Sequence, residues 1–352
     1  MTKTTAIVPV RHQELAKDAR PEVPAIVEAA GGNARFAYDE FFAGEENSNT
    51  ERAYRHAVHR FLAHCETLGV PLQQVMPGIV SDYLKNLRAE VKTKAGEQPQ
   101  SKPASKPMKK LHLAGIRKFF DKAVERHAVV LNPAASVRGP KHSVRQGKTP
   151  PLDQKQMHAL LTSFDTSDVV GLRDRAIIAT LYFTAARVGA VSKLNREAFY
   201  TDGRQFFLYL DEKGGTQRDI PCRHDLQEYI ELYLAAAGAA DGGTPLFRSA
   251  VRRERRLAPY QEADPSKNQP ERGRMTANDM LRMVKRRLRD AGLPSRFVCH
   301  SFRATTATLL FEQGVSSDDI QELLGHADPR TTQLYNHSDR KVTRNIVERI
   351  PA

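Results

Sequence analysis

Apolar residues at helical spacing recur on both sides of a charged stretch, Arg138 to Pro151, that carries Gly139-Pro140, Gly147 and Pro150-Pro151. Such a run cannot continue a helix, because proline lacks the donor and clashes with the preceding turn. It therefore reads as a linker, 138–151, between two separately packed regions, 47–137 and 152–352. A chain of 352 residues has the length for two domains. Residues 1–46 show weak periodicity and hold Gly31-Gly32, so they are expected to form a partly ordered N-terminal arm with room for one short helix.

The first region reads as wholly helical. Ser48-Asn-Thr-Glu51 offers a capping box. Behind it Tyr54, Ala57, Val58, Phe61, Leu62, Cys65 and Leu68 fall on one face, and Gly69 ends the run. A second helix carries Val80, Tyr83, Leu84 and Leu87, and a third carries Met108, Leu111, Ile116, Phe119, Phe120, Ala123 and Val124, ending before Asn132-Pro133. The Lys-, Pro- and Ser-rich stretch 91–107 between them reads as a mobile basic loop.

In the second region, Gln205 to Leu210 reads as a strand, Lys213-Gly-Gly215 as a turn, and Gln217 to Cys222 as the returning strand. Helices are expected before it, one carrying Met157, Leu160 and Leu161 and another from about Leu172 to Thr184. More follow over about 224–237, 276–290, 302–313 and 316–324, with a last segment from Pro329. Residues 249–274, with Arg252, Arg253, Arg255 and Arg256, read as an inserted surface loop that touches phosphate or is solvated. The expected fold class is mainly α, with an α+β second domain built around a small antiparallel hairpin.

Charge narrows the partner. The formal net charge is +13, and Val91 to Lys148 hold fourteen Lys/Arg against three Asp/Glu. Clustered cations of this kind are the electrostatic footprint of nucleic-acid binding. Cys65, Cys222 and Cys299 are far apart and form no Cys-x-x-Cys pair, which argues against structural zinc and for reduced thiols. A nucleophilic Cys299 has no other feature beside it. No signal peptide and no apolar run of membrane-spanning length is present, so a cytoplasmic protein, nucleoid-associated when bound to DNA, is expected.

One set of side chains carries chemistry. His300 and Arg303 stand three apart at an expected helix start, followed by Leu324-Gly-His326 and then Tyr335. Upstream, Arg187 is embedded in the apolar run Thr184 to Val191, where it needs a phosphate or a carboxylate as partner, and Lys213 sits at a hairpin tip. A phosphodiester in transition needs cations at its non-bridging oxygens, an in-line nucleophile and a proton donor for the leaving oxygen. Arginine suits two phosphate oxygens, imidazole moves protons near neutral pH, and a phenol becomes a nucleophile when it is held in line and relieved of its proton. The set supplies these functions without a metal or cofactor.

The order Arg187, Lys213, His300-x-x-Arg303, Leu-Gly-His326, Tyr335 resembles the tyrosine recombinase, or phage integrase, family. The match covers about residues 48–352. It is most specific from Arg303 to Tyr335: Arg-Ala-Thr-Thr-Ala-Thr, Gly-Val-Ser, Ile-Gln-Glu-Leu-Leu-Gly-His and Thr-Thr-Gln-Leu-Tyr. The helical region, entered at Thr50-Glu-Arg-Ala-Tyr54, resembles the family's core-binding domain.

The resemblance implies a two-domain clamp around double-stranded DNA carrying specific recombination sites, with 152–352 as catalytic domain and C-terminal tail. It implies that Tyr335 forms a 3′-phosphotyrosyl link and that Arg187 and Arg303 hold the phosphate. Lys213 would protonate the leaving 5′-oxygen, His300 would assist proton transfer and His326 would donate to the phosphate. Four protomers would exchange strands through a Holliday junction, with no ATP or metal. The tail, with Val342, Ile346, Val347 and Ile350, would dock on a neighbouring protomer or on its own domain. Two departures stand out: Ala190 occupies the position of a usual carboxylate, and Ala186 that of a usual glycine. A type IB topoisomerase and a catalytically silent DNA-binding relative are the alternative readings.

Overall fold

The computed structural model describes residues 23–44, 48–91, 98, 100–142, 147–212, 215–251 and 254–336, with the Ser48 side chain excepted. Two compact units, Met1–Ser143 and Val144–Ala352, divide the chain.

The first unit is helical. Helix α3 (Ser48–Thr67) buries Ala57, Val58, Phe61, Leu62 and Cys65 completely, the stripe its spacing dictates. It stops at Gly69, whose φ of 65° lets the Gly69 and Val70 N–H groups return to the Glu66 and Cys65 carbonyls. Helix α5 (Lys106–Glu125) starts at Ser105, whose side chain accepts from the Met108 N–H at 3.4 Å. It crosses α3 closely at Gly115, where a Cβ would lie 3.1 Å from the Tyr54 ring. Helix α4 (Pro77–Asn86) adds Val80, Tyr83 and Leu84 to the same core.

Two expectations are corrected here. Residues 25–43 are not a loose arm: α1 (Ala25–Ala29) and α2 (Gly32–Ala43) place Ile26, Val27, Tyr38, Phe41 and Phe42 in the core. Gly31, at φ 94°, supplies the corner between them, so the glycines that mask the periodicity are the joint of a helical pair. The basic stretch is also more ordered than expected. Strands β1 (Arg88–Val91) and β2 (Gln100–Pro103) pair antiparallel, and the Arg88 guanidinium donates to the Ser101 Oγ and carbonyl, each at 2.8 Å. Only β1 alternates, over four residues, and β2 is exposed throughout, so the pattern is too short to announce a hairpin. Residues 92–97 lie outside the described residues, as does the Ser48 half of the expected capping box; Glu51 pairs with Arg55.

The second unit is built around α7 (Val169–Phe183), buried almost all round. Asp168 caps it by accepting from the Val170 and Gly171 N–H groups at 2.7 and 2.9 Å. Gly171 is obligatory, since a Cβ there would lie 1.7 Å from the Asp165 carbonyl. Helix α6 (Gln154–Thr162), with the Asp153 and Gln156 capping box, and α9 (His224–Ala237) pack on it. Buried Asp174 accepts from Arg173, from Arg286 at 3.1 Å and from Arg287 at 2.9 Å, tying α7 to α10 (Ala277–Asp290). A carboxylate without water is tolerable only with such partners.

The expected hairpin is present, widened to three antiparallel strands in the order β3 (Phe199–Thr201), β4 (Phe206–Asp211), β5 (Gln217–Pro221). Helices α8 (Val188–Val191), α11 (Cys299–Glu312), α12 (Ser317–Leu324) and α13 (Pro329–Gln333) complete the unit. The fold is mainly α with small antiparallel sheets, as the sequence leads one to expect.

Residues 249–274 hold a short hairpin, β6 (Ala250–Val251) with β7 (Arg256–Leu257). Of the arginines singled out there, Arg255 pairs with Asp165 and Asp168, and Arg256 with Glu254; Arg252 and Arg253 lie outside the described residues. No helix among the described residues is long and apolar enough to cross a membrane.

Candidate active site

Tyr335 follows directly on α13. Its N–H returns to the Thr332 carbonyl at 3.1 Å, and its own carbonyl accepts from Thr308 Oγ1 at 3.4 Å. The ring is 5 % exposed. Its hydroxyl lies 3.0 Å from Nε2 of His300, the second residue of α11. The His326 ring lies parallel to the phenol, 6.1 Å between centroids and 9° between planes.

Local sequence explains these placements. Helix α12 ends at Leu324 because Gly325 takes a left-handed conformation at φ 59°. A side chain there would collide with the Arg218 guanidinium, 2.9 Å from the ideal Cβ. The chain turns, and His326 Nδ1 meets Thr332 Oγ1 at 2.9 Å. In the tautomer whose Nδ1 accepts from that hydroxyl, Nε2 carries the proton and can donate outward.

Arg303 lies one turn along α11 from His300 and is 1 % exposed. It donates to the Ala185 carbonyl at 2.7 Å and to the Leu324 carbonyl, while its Nε has no partner. Ala185 presents that carbonyl from a left-handed conformation, φ 50°. The unusual backbone in this corner thus falls on Ala185 rather than on Ala186. A non-glycine residue held there stores a small strain, a common property of functional corners.

Arg187 begins α8. Its partner is a carboxylate, Glu212, at the end of β4: the guanidinium pairs with Glu212 Oε2 through Nη1, and the Arg187 N–H donates to Oε1 at 3.3 Å. Arg218, on the facing strand, pairs with Glu212 Oε1 at 3.0 Å and donates to the Leu323 carbonyl. Glu212 and Arg218 are the two residues that sequence reasoning missed. A signal existed: Leu208, Leu210 and Glu212 alternate on one strand face, so the carboxylate occupies a position patterned for burial.

Arg187, His300, Arg303 and His326 therefore cluster around Tyr335. Lys213 lies outside the described residues.

The cluster's electrostatics are cationic. Burial pushes the Arg303 pKa down to about 10, and neighbouring Arg187 adds to this. Burial raises the Tyr335 phenol, opposed by the charge and hydrogen bonding of Arg303 and by the charge of Arg187. His300 is open to solvent on one side. Loss of water on its inner side, then Arg303 and Arg187, lower its pKa from the ordinary 6.5. His326 is pushed down to about 4, first by burial and then by the same arginines. Both imidazoles are thus neutral near pH 7, one able to take a proton from the phenol and the other to donate a hydrogen bond. Two of the three guanidinium groups pair with the one carboxylate, and the buried Arg303 Nε has no acceptor, so the cluster keeps a cationic excess that an anion such as a phosphodiester would neutralise. The Cys299 thiol is buried and pushed up to about 11, which keeps it protonated and a poor nucleophile.

Known proteins resemble this chain along most of its length. The sequence pattern of the phage integrase family matches residues 151–341. The tyrosine recombinase XerD of Listeria innocua is 28% identical over 294 residues, 83% of this chain and 88% of the relative. Among solved structures, the XerH site-specific recombinase in its post-cleavage complex on palindromic difH substrate aligns with a TM-score of 0.60 at 18% identity, over 82% of this chain and 76% of that one. A lambda integrase tetramer bound to a Holliday junction aligns with a TM-score of 0.58 at 16% identity, over 88% of this chain and 80% of that one. At those identities the structural likeness speaks for the fold alone.

Proposed function

This chain belongs to the phage integrase family and is a tyrosine-type site-specific DNA recombinase, and from that premise we propose that Tyr335 is the nucleophile that cleaves and rejoins the DNA strand. The phenol oxygen attacks the scissile phosphorus while its proton passes to His300 Nε2. The bond from phosphorus to the 5′-oxygen breaks, leaving a 3′-phosphotyrosyl link, and Lys213 supplies the proton to the departing 5′-hydroxyl. Arg187 and Arg303 hold the non-bridging oxygens, and His326 donates to the phosphate through Nε2. The ester conserves the energy of the broken bond, so a 5′-hydroxyl from another strand can reverse the step without ATP.

The single observation that supports this reading best is the 3.0 Å approach of the Tyr335 hydroxyl to His300 Nε2, beside a buried Arg303 with an unpartnered donor. Cations preorganised where charge develops are the strongest general device for such a reaction.

With residues 152–352 as the catalytic domain, the helical unit, into whose core α1 and α2 pack, serves as the core-binding domain. Its basic residues supply phosphate contacts, which position the protein without reading sequence. A homo-tetramer on two duplexes, exchanging strands through a Holliday junction, is the assembly this chemistry serves, and the lambda integrase tetramer bound to such a junction supports it.

The test uses nicked duplexes carrying DNA from the borders of the gene. On these suicide substrates the released 5′ fragment diffuses away and traps the covalent adduct. Adduct on a defined site, with recombination between two such sites, is expected. Relaxation of supercoiled plasmids lacking any site would identify a topoisomerase instead, and binding without adduct a silent relative.

A further inference from the structure

Resting on the recombinase reading, we infer that Glu212 is a positioning residue for the phosphate-holding arginines and does the work for which Ala190 has no functional group. Arg187 has to present its guanidinium to an oxygen of the scissile phosphate. A long, flexible side chain that is 39% exposed does not hold one rotamer unaided, and fixing it costs conformational entropy. The methyl group of Ala190, one turn along α8, offers no acceptor. Glu212 offers two. Its carboxylate, with no exposed surface, pairs with Arg187 through one oxygen and with Arg218 through the other, and it also receives the Arg187 N–H. The carboxylate thus fixes both ends of Arg187, the backbone and the guanidinium. The Nε and Nη2 of Arg187 donate to no described residue and remain available to a ligand.

The anchor is itself rigid. The Glu212 N–H donates to the Thr216 carbonyl at 2.9 Å, closing the β4–β5 turn, and the strand register sets Leu210 opposite Arg218. Arg218 in turn lies against Gly325 and donates to the Leu323 carbonyl. One carboxylate therefore ties the first arginine of the site to the segment that delivers His326. A carboxylate carried on α8 would orient Arg187 alone; one at the end of β4 also holds Arg218, which lies against the segment that delivers His326.

The experiment compares wild type, Glu212→Gln and Glu212→Asp in single-turnover cleavage at saturating DNA. Two suicide substrates are used, one with the ordinary scissile phosphate and one with a methylphosphonate, which lacks one charged non-bridging oxygen. Glu212→Gln should cleave the ordinary phosphate about 100-fold more slowly, the loss typical of one preorganised donor, and Glu212→Asp should recover most of that rate. On the methylphosphonate isomer lacking the oxygen held by Arg187, Glu212→Gln should come within about 3-fold of wild type, because the interaction it supports is gone from both. Comparing two substrates on one protein sample cancels any loss of folded fraction. An equal defect on both substrates would show a merely structural role, and an undiminished rate on phosphate would remove Glu212 from the mechanism; either overturns the inference. Absence of adduct with wild type would instead sink the recombinase reading beneath it.

Discussion

Each unit of this protein sets a tyrosine hydroxyl against a histidine. In the helical unit Tyr83 meets His112 Nδ1 at 2.9 Å, and in the second unit Tyr335 meets His300 Nε2 at 3.0 Å. In both, burial raises the phenol and lowers the imidazole. The surroundings differ. Tyr83 stands edge-on to Phe61 with Arg60 and the His64 ring nearby, and His112 is 1 % exposed. Tyr335 stands beside Arg303 and Arg187, and its histidine reaches solvent. The pair alone satisfies two buried polar groups; cations with room for an anion convert the same pair into a nucleophile and its base.

The sharpest way to break this comparison is to delete the same oxygen twice. Tyr335→Phe should bind DNA as wild type does and lose covalent adduct by about 10⁴-fold or more, as removing a nucleophile does. Tyr83→Phe should leave cleavage unchanged within about 2-fold and cost about 1 kcal/mol of unfolding free energy, the net worth of one hydrogen bond. Suicide-substrate assays beside urea titrations measure both. Next in size, Arg303→Ala should slow cleavage by about 10²- to 10³-fold. It should also lower the thermal midpoint, since the Ala185 and Leu324 carbonyls lose their donor; single-turnover rates and melting curves check the two effects together.

His300→Gln should cost about 10²-fold, the range of a general base. The pH profile sharpens this. His300 must be neutral to accept the proton, and its pKa lies below 6.5 in the free protein. The wild-type rate should therefore hold as pH falls toward neutrality and drop only on passing that lowered value, a limb missing from the variant.

The smallest effect concerns stability. His112 is held at about 4 when folded, against about 6.5 when unfolded. The unfolded chain binds the extra proton between those values, so stability is complete above about 6.5 and is lost as pH falls toward 4, by on the order of 1–3 kcal/mol. His326, also held at about 4, acts with the same sign in the second unit. His112→Gln should flatten the loss between pH 7 and pH 5 in chemical denaturation without altering the acid limb of cleavage.

Sequence and structure meet unevenly. Helix α3 was legible because its apolar stripe is uninterrupted from Tyr54 to Cys65 and ends on a glycine. Arg187, His300, Arg303, His326 and Tyr335 stand together in space, as their order in the chain and its resemblance to the family imply. The α1–α2 pair was not, since its corner is a double glycine that reads as disorder until Phe41 and Phe42 are seen in a core formed by distant helices. Nor was the hairpin at Arg88–Pro103, whose second strand is exposed throughout and whose strands are joined through an arginine. Glu212 escaped because a partner across the chain, Arg187, is set by tertiary packing and has no fixed spacing in sequence. From sequence, Arg187 needs a phosphate or a carboxylate as partner; the free protein holds the carboxylate.

The most direct measurement is the identity of the residue that carries DNA. Adduct from wild-type protein, digested with protease and nuclease and sequenced by mass spectrometry, should place a 3′-linked nucleotide on the peptide containing Tyr335 and leave the Tyr83 peptide unmodified. A nucleotide on any other side chain, or a Tyr335→Phe variant that still yields adduct, would contradict the account.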